Sequence, residues 1–168
     1  MNRRILTALF LVLWNPFLAW TQTKADFSGT WKLNLEKSDY GDLQGPSSRI
    51  DVIDQKGELI SERVVAKVRN KIQNYTLTFS TDGRTTVLPQ DSYVRMGFVT
   101  LHNISAYWQD SSLVVMQGMY FEDYDIVAKN LYSLSADGNT LIIAVSLNGG
   151  DSAAKFVFDR VLPQQKIE

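Results

Sequence analysis

The chain has no cysteine, one histidine and four prolines in its 168 residues. The lack of cysteine rules out disulfides, thiolate metal sites, a cysteine nucleophile and a cysteine-borne lipid anchor. The lone histidine, His102, rules out a His-rich metal site, and any Ser/His/Asp triad would have to use it. Neither sign of charge dominates: 17 Lys+Arg face 18 Asp+Glu. No basic excess marks a nucleic-acid partner. There is no Gly-x-Ser-x-Gly elbow, no metal-ligand spacing and no motif-level partner that would tune His102 as a base. Glu122, Asp123 and Asp125 form an acidic turn without the glycine and ligand spacing of an EF-hand loop. The expectation is therefore no catalytic residue, no metal, no cofactor and no enzyme.

Long apolar runs are scarce too. The one near the N-terminus, Ile5 to Leu13 with Trp14, Phe17, Leu18 and Trp20 after it, is interrupted by Asn15-Pro16. A spanning helix needs about 20 apolar residues in succession. Arg3 and Arg4 precede the run, and Thr23-Lys24-Ala25 supplies small residues after it. That order of regions is a secretory signal, predicted to cover residues 1–25. An uncleaved N-terminal anchor is the alternative. Cleavage removes three basic residues and no acid, leaving a net charge of about −4. The expected product is an exported protein, periplasmic or extracellular, with no stable membrane insertion. Residues 26–163 form its single domain and residues 164–168 a short polar tail.

What fills the domain is alternation. Phe27, Gly29, Trp31, Leu33 and Leu35 share one strand face, and Ile50 and Val52 alternate with charged neighbours. Val64, Ala66 and Val68 are in phase, as are Tyr75, Leu77 and Phe79. Leu141, Ile143, Val145 and Leu147 make the cleanest stripe, and Ala154, Phe156 and Phe158 close the pattern. His102 reads in phase with Ile104, Ala106 and Trp108. The stretches Thr81-Asp82-Gly83-Arg84 and Ala136-Asp137-Gly138-Asn139 both predict tight hairpins. Residues 36–48, rich in Gly, Pro and Ser, predict a loop. No helical period appears. About ten strands joined by short loops imply an antiparallel meander. Closure removes exposed edges, so a single all-β, antiparallel up-and-down β-barrel of about 8–10 strands is the leading expectation. A two-sheet sandwich satisfies the same alternation.

The segment Phe27-Ser28-Gly29-Thr30-Trp31 resembles the Gly-x-Trp motif that opens the first strand of lipocalins and related calycin barrels. In those families an Arg near the end of the last strand packs across the Trp at the closed end. Arg160, two residues after Phe158, occupies the matching place here. The opening Phe27 to Tyr40 also looks like the start of exported bacterial lipocalin-like domains of uncharacterised function. Glu122-Asp123-Tyr124 only partly echoes the Thr-Asp-Tyr turn of larger lipocalins, and no flanking helix can follow Arg160. The resemblance implies that Gly29, Trp31 and Arg160 close the barrel. It also implies a small hydrophobic molecule as ligand, with Tyr75, Leu77, Phe79, Ile143, Val145, Phe156 and Phe158 lining the interior. A barrel filled by its own side chains, acting as an envelope interaction or structural module, is the other expectation. Leu113 to Phe121 is apolar on both faces, so its outer face needs cover from a loop or from a second copy. A monomer or weak homo-oligomer follows.

Overall fold

Two-residue periodicity becomes strand almost throughout residues 24–162, which the computed structural model describes. Residues 1–23 of the expected signal and the tail 164–168 lie outside the described residues. In chain order the strands are β1 (Gly29–Leu33), β2 (Ser48–Lys56), β3 (Leu59–Val68), β4 (Lys71–Ser80), β5 (Thr86–Val87), β6 (Val94–Met96), β7 (Val99–Gln109), β8 (Ser112–Phe121), β9 (Tyr124–Leu134), β10 (Thr140–Leu147) and β11 (Ser152–Arg160). Among the described residues the only helical element is a single 3₁₀ turn, Gln90–Ser92, and no helix is long and apolar enough to cross a membrane.

The ladder runs β4-β3-β2-β1-β11-β10-β9-β8-β7, every pair antiparallel. The two short strands β5 and β6 lie along the outer edge of β7. This is an all-β, nearly closed barrel, and the sandwich is set aside. The first strand sits in the middle of the ladder, hydrogen-bonded to β2 and to the last strand. No ladder joins β4 to β5, β6 or β7. Across that seam the Gln73 side chain lies against the Gly97 backbone, where an added Cβ would be 2.6 Å from Gln73 Nε2.

The seam exists because the first Asp-Gly turn does not make the hairpin its sequence predicts. Thr81-Asp82-Gly83-Arg84 ends β4, but the returning chain leaves it and pairs with β7 instead, Thr86 opposite Ile104. Gly83 N donates to Ala106 O, and Asp82 bridges Tyr107. Pro89 then halts β5 after two paired residues. The second Asp-Gly turn joins β9 to β10, with Gly138 at φ +70°.

The barrel's floor is Trp31, fully buried, with Phe27 beside it. The Trp31 indole N–H donates to Phe27 O at 2.8 Å. Arg160 lies over the Trp31 ring at 4.1 Å. Its Nε donates to Gly138 O at 2.9 Å and one terminal nitrogen to Ser28 O at 2.8 Å. Gly29 makes room for this clasp: at φ +142° it carries no Cβ, and one added there would come within 2.5 Å of the guanidinium. Phe27 stacks on Trp108 at 5.9 Å and meets Tyr132 edge-on at 6.0 Å.

Two strands differ from their expected phase. β2 is turned over: Arg49, Asp51 and Ile53 face inward, while Ile50 and Val52 lie exposed on the outer face. β7 carries a bulge at His102, since Leu101 pairs with Met119 and Asn103 with Gly118. The extra residue takes His102 out of phase with Ile104. Leu35, past the end of β1, is exposed as well. On the two-sided strand β8, Leu113, Val115 and Met119 join the core. Outer Val114 is covered by its register neighbours Tyr107 and Leu131. Outer Tyr120 is partly covered by Tyr93 from the segment before β6.

Candidate functional site

Mid-height inside the barrel, inward positions of eight strands surround a cavity of about 60 Å³. Tyr75 and Leu77 (β4), Ile143 and Val145 (β10) and Phe156 (β11) line it. Phe79 and Phe158, also expected as lining, point inward and are buried but do not border it. Six residues that sequence reasoning missed complete the wall: Arg49, Glu62, Met96, Gln117, Asn130 and Tyr132. For Glu62 a signal existed. It shares the phase of Val64 and Ala66, so a charge stands on an apolar stripe.

Arg49, Glu62 and Tyr132 form one network with Asp51, and Gln117 and Asn130 form a separate pair. Arg49 Nε donates to Asp51 Oδ1 at 2.8 Å, and an Arg49 terminal nitrogen to Glu62 Oε1 at 3.4 Å. Tyr132 O–H, arriving from the opposite wall, donates to Glu62 Oε2 at 3.0 Å. Asp51 and Glu62 are diagonal neighbours across β2 and β3, because Asp51 pairs with Val64 and Ile53 with Glu62. The Arg49 guanidinium lies 5.6 Å from the Phe156 ring and 5.3 Å from Phe158. Asn130 Nδ2 donates to Val115 O and to Gln117 Oε1, each at 3.3 Å.

Both carboxyls are almost wholly buried. Burial, and then the charge of Asp51, push the Glu62 carboxyl up to about 8 against the opposing pull of Arg49 and Tyr132. Burial also drives the Tyr75 phenol up to about 12 and the Tyr132 phenol well above its ordinary value. For Arg49 burial opposes the charge, but Asp51, Tyr75 and Glu62 outweigh it and hold the guanidinium protonated. Asp51 Oδ2 is buried and receives no hydrogen bond from these neighbours. A proton held on Glu62 eases the repulsion between the two carboxyls, diagonal neighbours across β2 and β3.

This proton makes stability depend on pH. Glu62 keeps it to about pH 8 when folded and loses it near pH 4.5 when unfolded. The folded state therefore binds the extra proton inside that window, and stability falls as pH rises through it, then levels off. The limiting slope is about 1.4 kcal/mol per pH unit. Urea midpoints at pH 5, 6.5, 8 and 9 should show the fall in the native chain and its loss in Glu62→Gln. Equal pH profiles for the two proteins would remove Glu62 as the source.

His102 lies outside the barrel. Its ring stacks on Tyr120 at 4.2 Å. Nδ1 lies 3.1 Å from Asn103 Nδ2, and the buried Nε2 lies 3.4 Å from Asp125 Oδ1 without a hydrogen bond. A larger hollow, about 570 Å³, is also external, over the mouth end of the seam among Arg69, Lys71, Arg95 and Phe98. None of the interior residues expected from sequence lines it.

No protein-family model matches the chain, and no curated protein does. Solved structures do. A secretory abundant heat soluble (SAHS) protein of Ramazzottius varieornatus is 14% identical with a TM-score of 0.58, over 83% of this chain and 98% of that one. A Schistosoma mansoni fatty acid binding protein in complex with arachidonic acid is 15% identical with a TM-score of 0.56, over 81% and 96%. Such likeness establishes the fold: the described chain is a calycin-like β-barrel, shared with SAHS and fatty acid binding proteins.

Proposed function

We propose that the protein is an exported, non-enzymatic barrel that binds a small hydrophobic molecule in its interior. The observation that carries this reading is the polar cluster of Arg49, Glu62 and Tyr132, backed by Asp51, on the otherwise largely apolar wall of a cavity. A barrel that only had to fill itself is as stable or more so with apolar side chains there, because burying ions costs several kcal/mol each in lost hydration. A few convergent polar groups in an apolar concavity are what fixes a ligand's orientation. Arachidonic acid in the similar Schistosoma mansoni barrel supports the same use of the interior. The signal-like residues 1–25 support export to the periplasm or the extracellular space, and the outer face of β8, covered at Val114 and partly open at Tyr120, supports a monomer or weak homo-oligomer.

A second reading, a filled barrel serving as an envelope interaction or structural module, is favoured by the size of the cavity. At about 60 Å³ it has room for a few waters. Native mass spectrometry of the protein purified from its own cells separates the two. An added mass that survives gentle ionisation and disappears on denaturation is expected. Bare protein even when small apolar compounds are supplied in excess would favour the filled barrel. The denatured mass also reports whether the chain starts near Asp26.

A further inference from the structure

We infer that the interior site selects a ligand with a positively charged, hydrogen-bond-donating head, a small primary amine, and rejects a carboxylate. This rests on the reading of the barrel as a ligand binder and adds the chemistry of the head group. Two carboxyl groups, Asp51 and Glu62, share one guanidinium. Arg49 is therefore already engaged, its Nε on one carboxyl and a terminal nitrogen on the other. The Tyr132 hydroxyl is also turned onto Glu62.

With both carboxyls ionised the network carries one negative charge. An entering ammonium cancels it and an entering carboxylate doubles it. At a buried site like charges repel strongly, and opposite charges gain most when each keeps its hydrogen bonds. Asp51 does not border the cavity, but its Oδ2 is buried without a donor, so the cluster as a whole lacks a donor and not an acceptor. In the empty barrel a proton on Glu62 fills that need. An ammonium N–H on Glu62, the carboxyl that borders the cavity, takes its place and the carboxyl proton passes to solvent, so binding one cation releases one proton. Leu77, Ile143, Val145 and Phe156 receive the apolar part. The cavity limits that part to a short chain.

Three probes of equal chain length decide the matter: n-butylamine, 1-butanol and butyrate, each titrated into the purified protein at pH 7.5. The Arg49 Nε–H signal is followed by NMR, which places any binding at the cluster. Butylamine should move that signal with an affinity at least about tenfold tighter than butyrate, with 1-butanol between them. Glu62→Gln should abolish the advantage of the amine over 1-butanol while 1-butanol still binds. Butyrate binding as tightly as butylamine overturns the head-group assignment and leaves interior binding intact. An amine advantage that survives in a folded Glu62→Gln overturns the role given to Glu62. If none of the three probes moves the signal, interior binding itself falls and the head-group assignment falls with it.

Discussion

Arg49→Met should destabilise the barrel by about 3–5 kcal/mol, the cost of leaving buried charge without its partner. Asp51 and Glu62 would then face each other across β2 and β3 with only the Tyr132 hydroxyl between them and the apolar wall. The loss should be greatest at high pH, where Glu62 has given up its proton, and smaller near pH 5, where it keeps it. A second variant separates structure from binding. Replacing the whole network, Arg49→Met with Asp51→Val, Glu62→Leu and Tyr132→Phe, leaves no buried ion and no orphaned hydroxyl. Its stability should equal or exceed that of the native chain, by up to about 4 kcal/mol. Denaturant unfolding of both proteins is the measurement. If Arg49→Met costs nothing, the guanidinium is not balancing the carboxyls. If the apolar variant is as crippled as the single one, the network is part of the scaffold and not a binding device.

At the other end of the barrel, Trp31→Ala should cost about 3–5 kcal/mol, as for other fully buried large aromatics. In melting temperature that is on the order of 10 °C or more for a domain of this size. The ring is the floor on which Phe27 and Arg160 rest. Arg160→Ala should cost less, about 1–3 kcal/mol, through the lost cover and the two carbonyls, Gly138 O and Ser28 O, that lose their donor. Arg160→Lys should recover little, because a single ammonium cannot reach both carbonyls while lying flat on an indole. The double variant should fall short of the sum of the two losses, since both remove the same contact. A melting temperature unmoved by Arg160→Ala would show that the contact at 4.1 Å holds nothing together.

The fold was legible where alternation is unbroken. Tyr75, Leu77 and Phe79, then Leu141 to Leu147, then Ala154 to Phe158 face inward as their period predicts. β2 misled because Arg49-Ile50-Asp51-Val52-Ile53 has apolar residues in both phases. Taken alone, Ile50 and Val52 are the better core face. Only partners on other strands, Glu62 and Tyr132, make it favourable to bury Arg49 and Asp51 instead, and local sequence cannot see them. For the same reason the chain shows the apolar wall of the cavity but hides its polar half. His102 misled through an inserted residue. Leu101 and Ile104 are both buried yet three apart, and that break in period is the only trace of the bulge. The first Asp-Gly turn misled because turn chemistry says where a chain can reverse, while the pairing partner depends on which edge lies nearby. Here that edge belonged to β7.

The placing of β1 in the middle of the ladder also sets the time order of folding. Its neighbour on one side, β2, follows soon in the chain, but its neighbour on the other is the last strand made. Arg160 reaches back 132 positions to hold Ser28. Until β11 is available, β1 has one edge open and Trp31 has no cation above it. Contacts of such long span are slow to find, because a large loop must close before they return any stability. A chain growing from its N-terminus can therefore pair β2 with β3 and β3 with β4 early, but it cannot complete its floor until β11 has been made. Under the proposed export, that delay keeps the chain unlocked while it crosses, because the strand that locks the structure follows all the others.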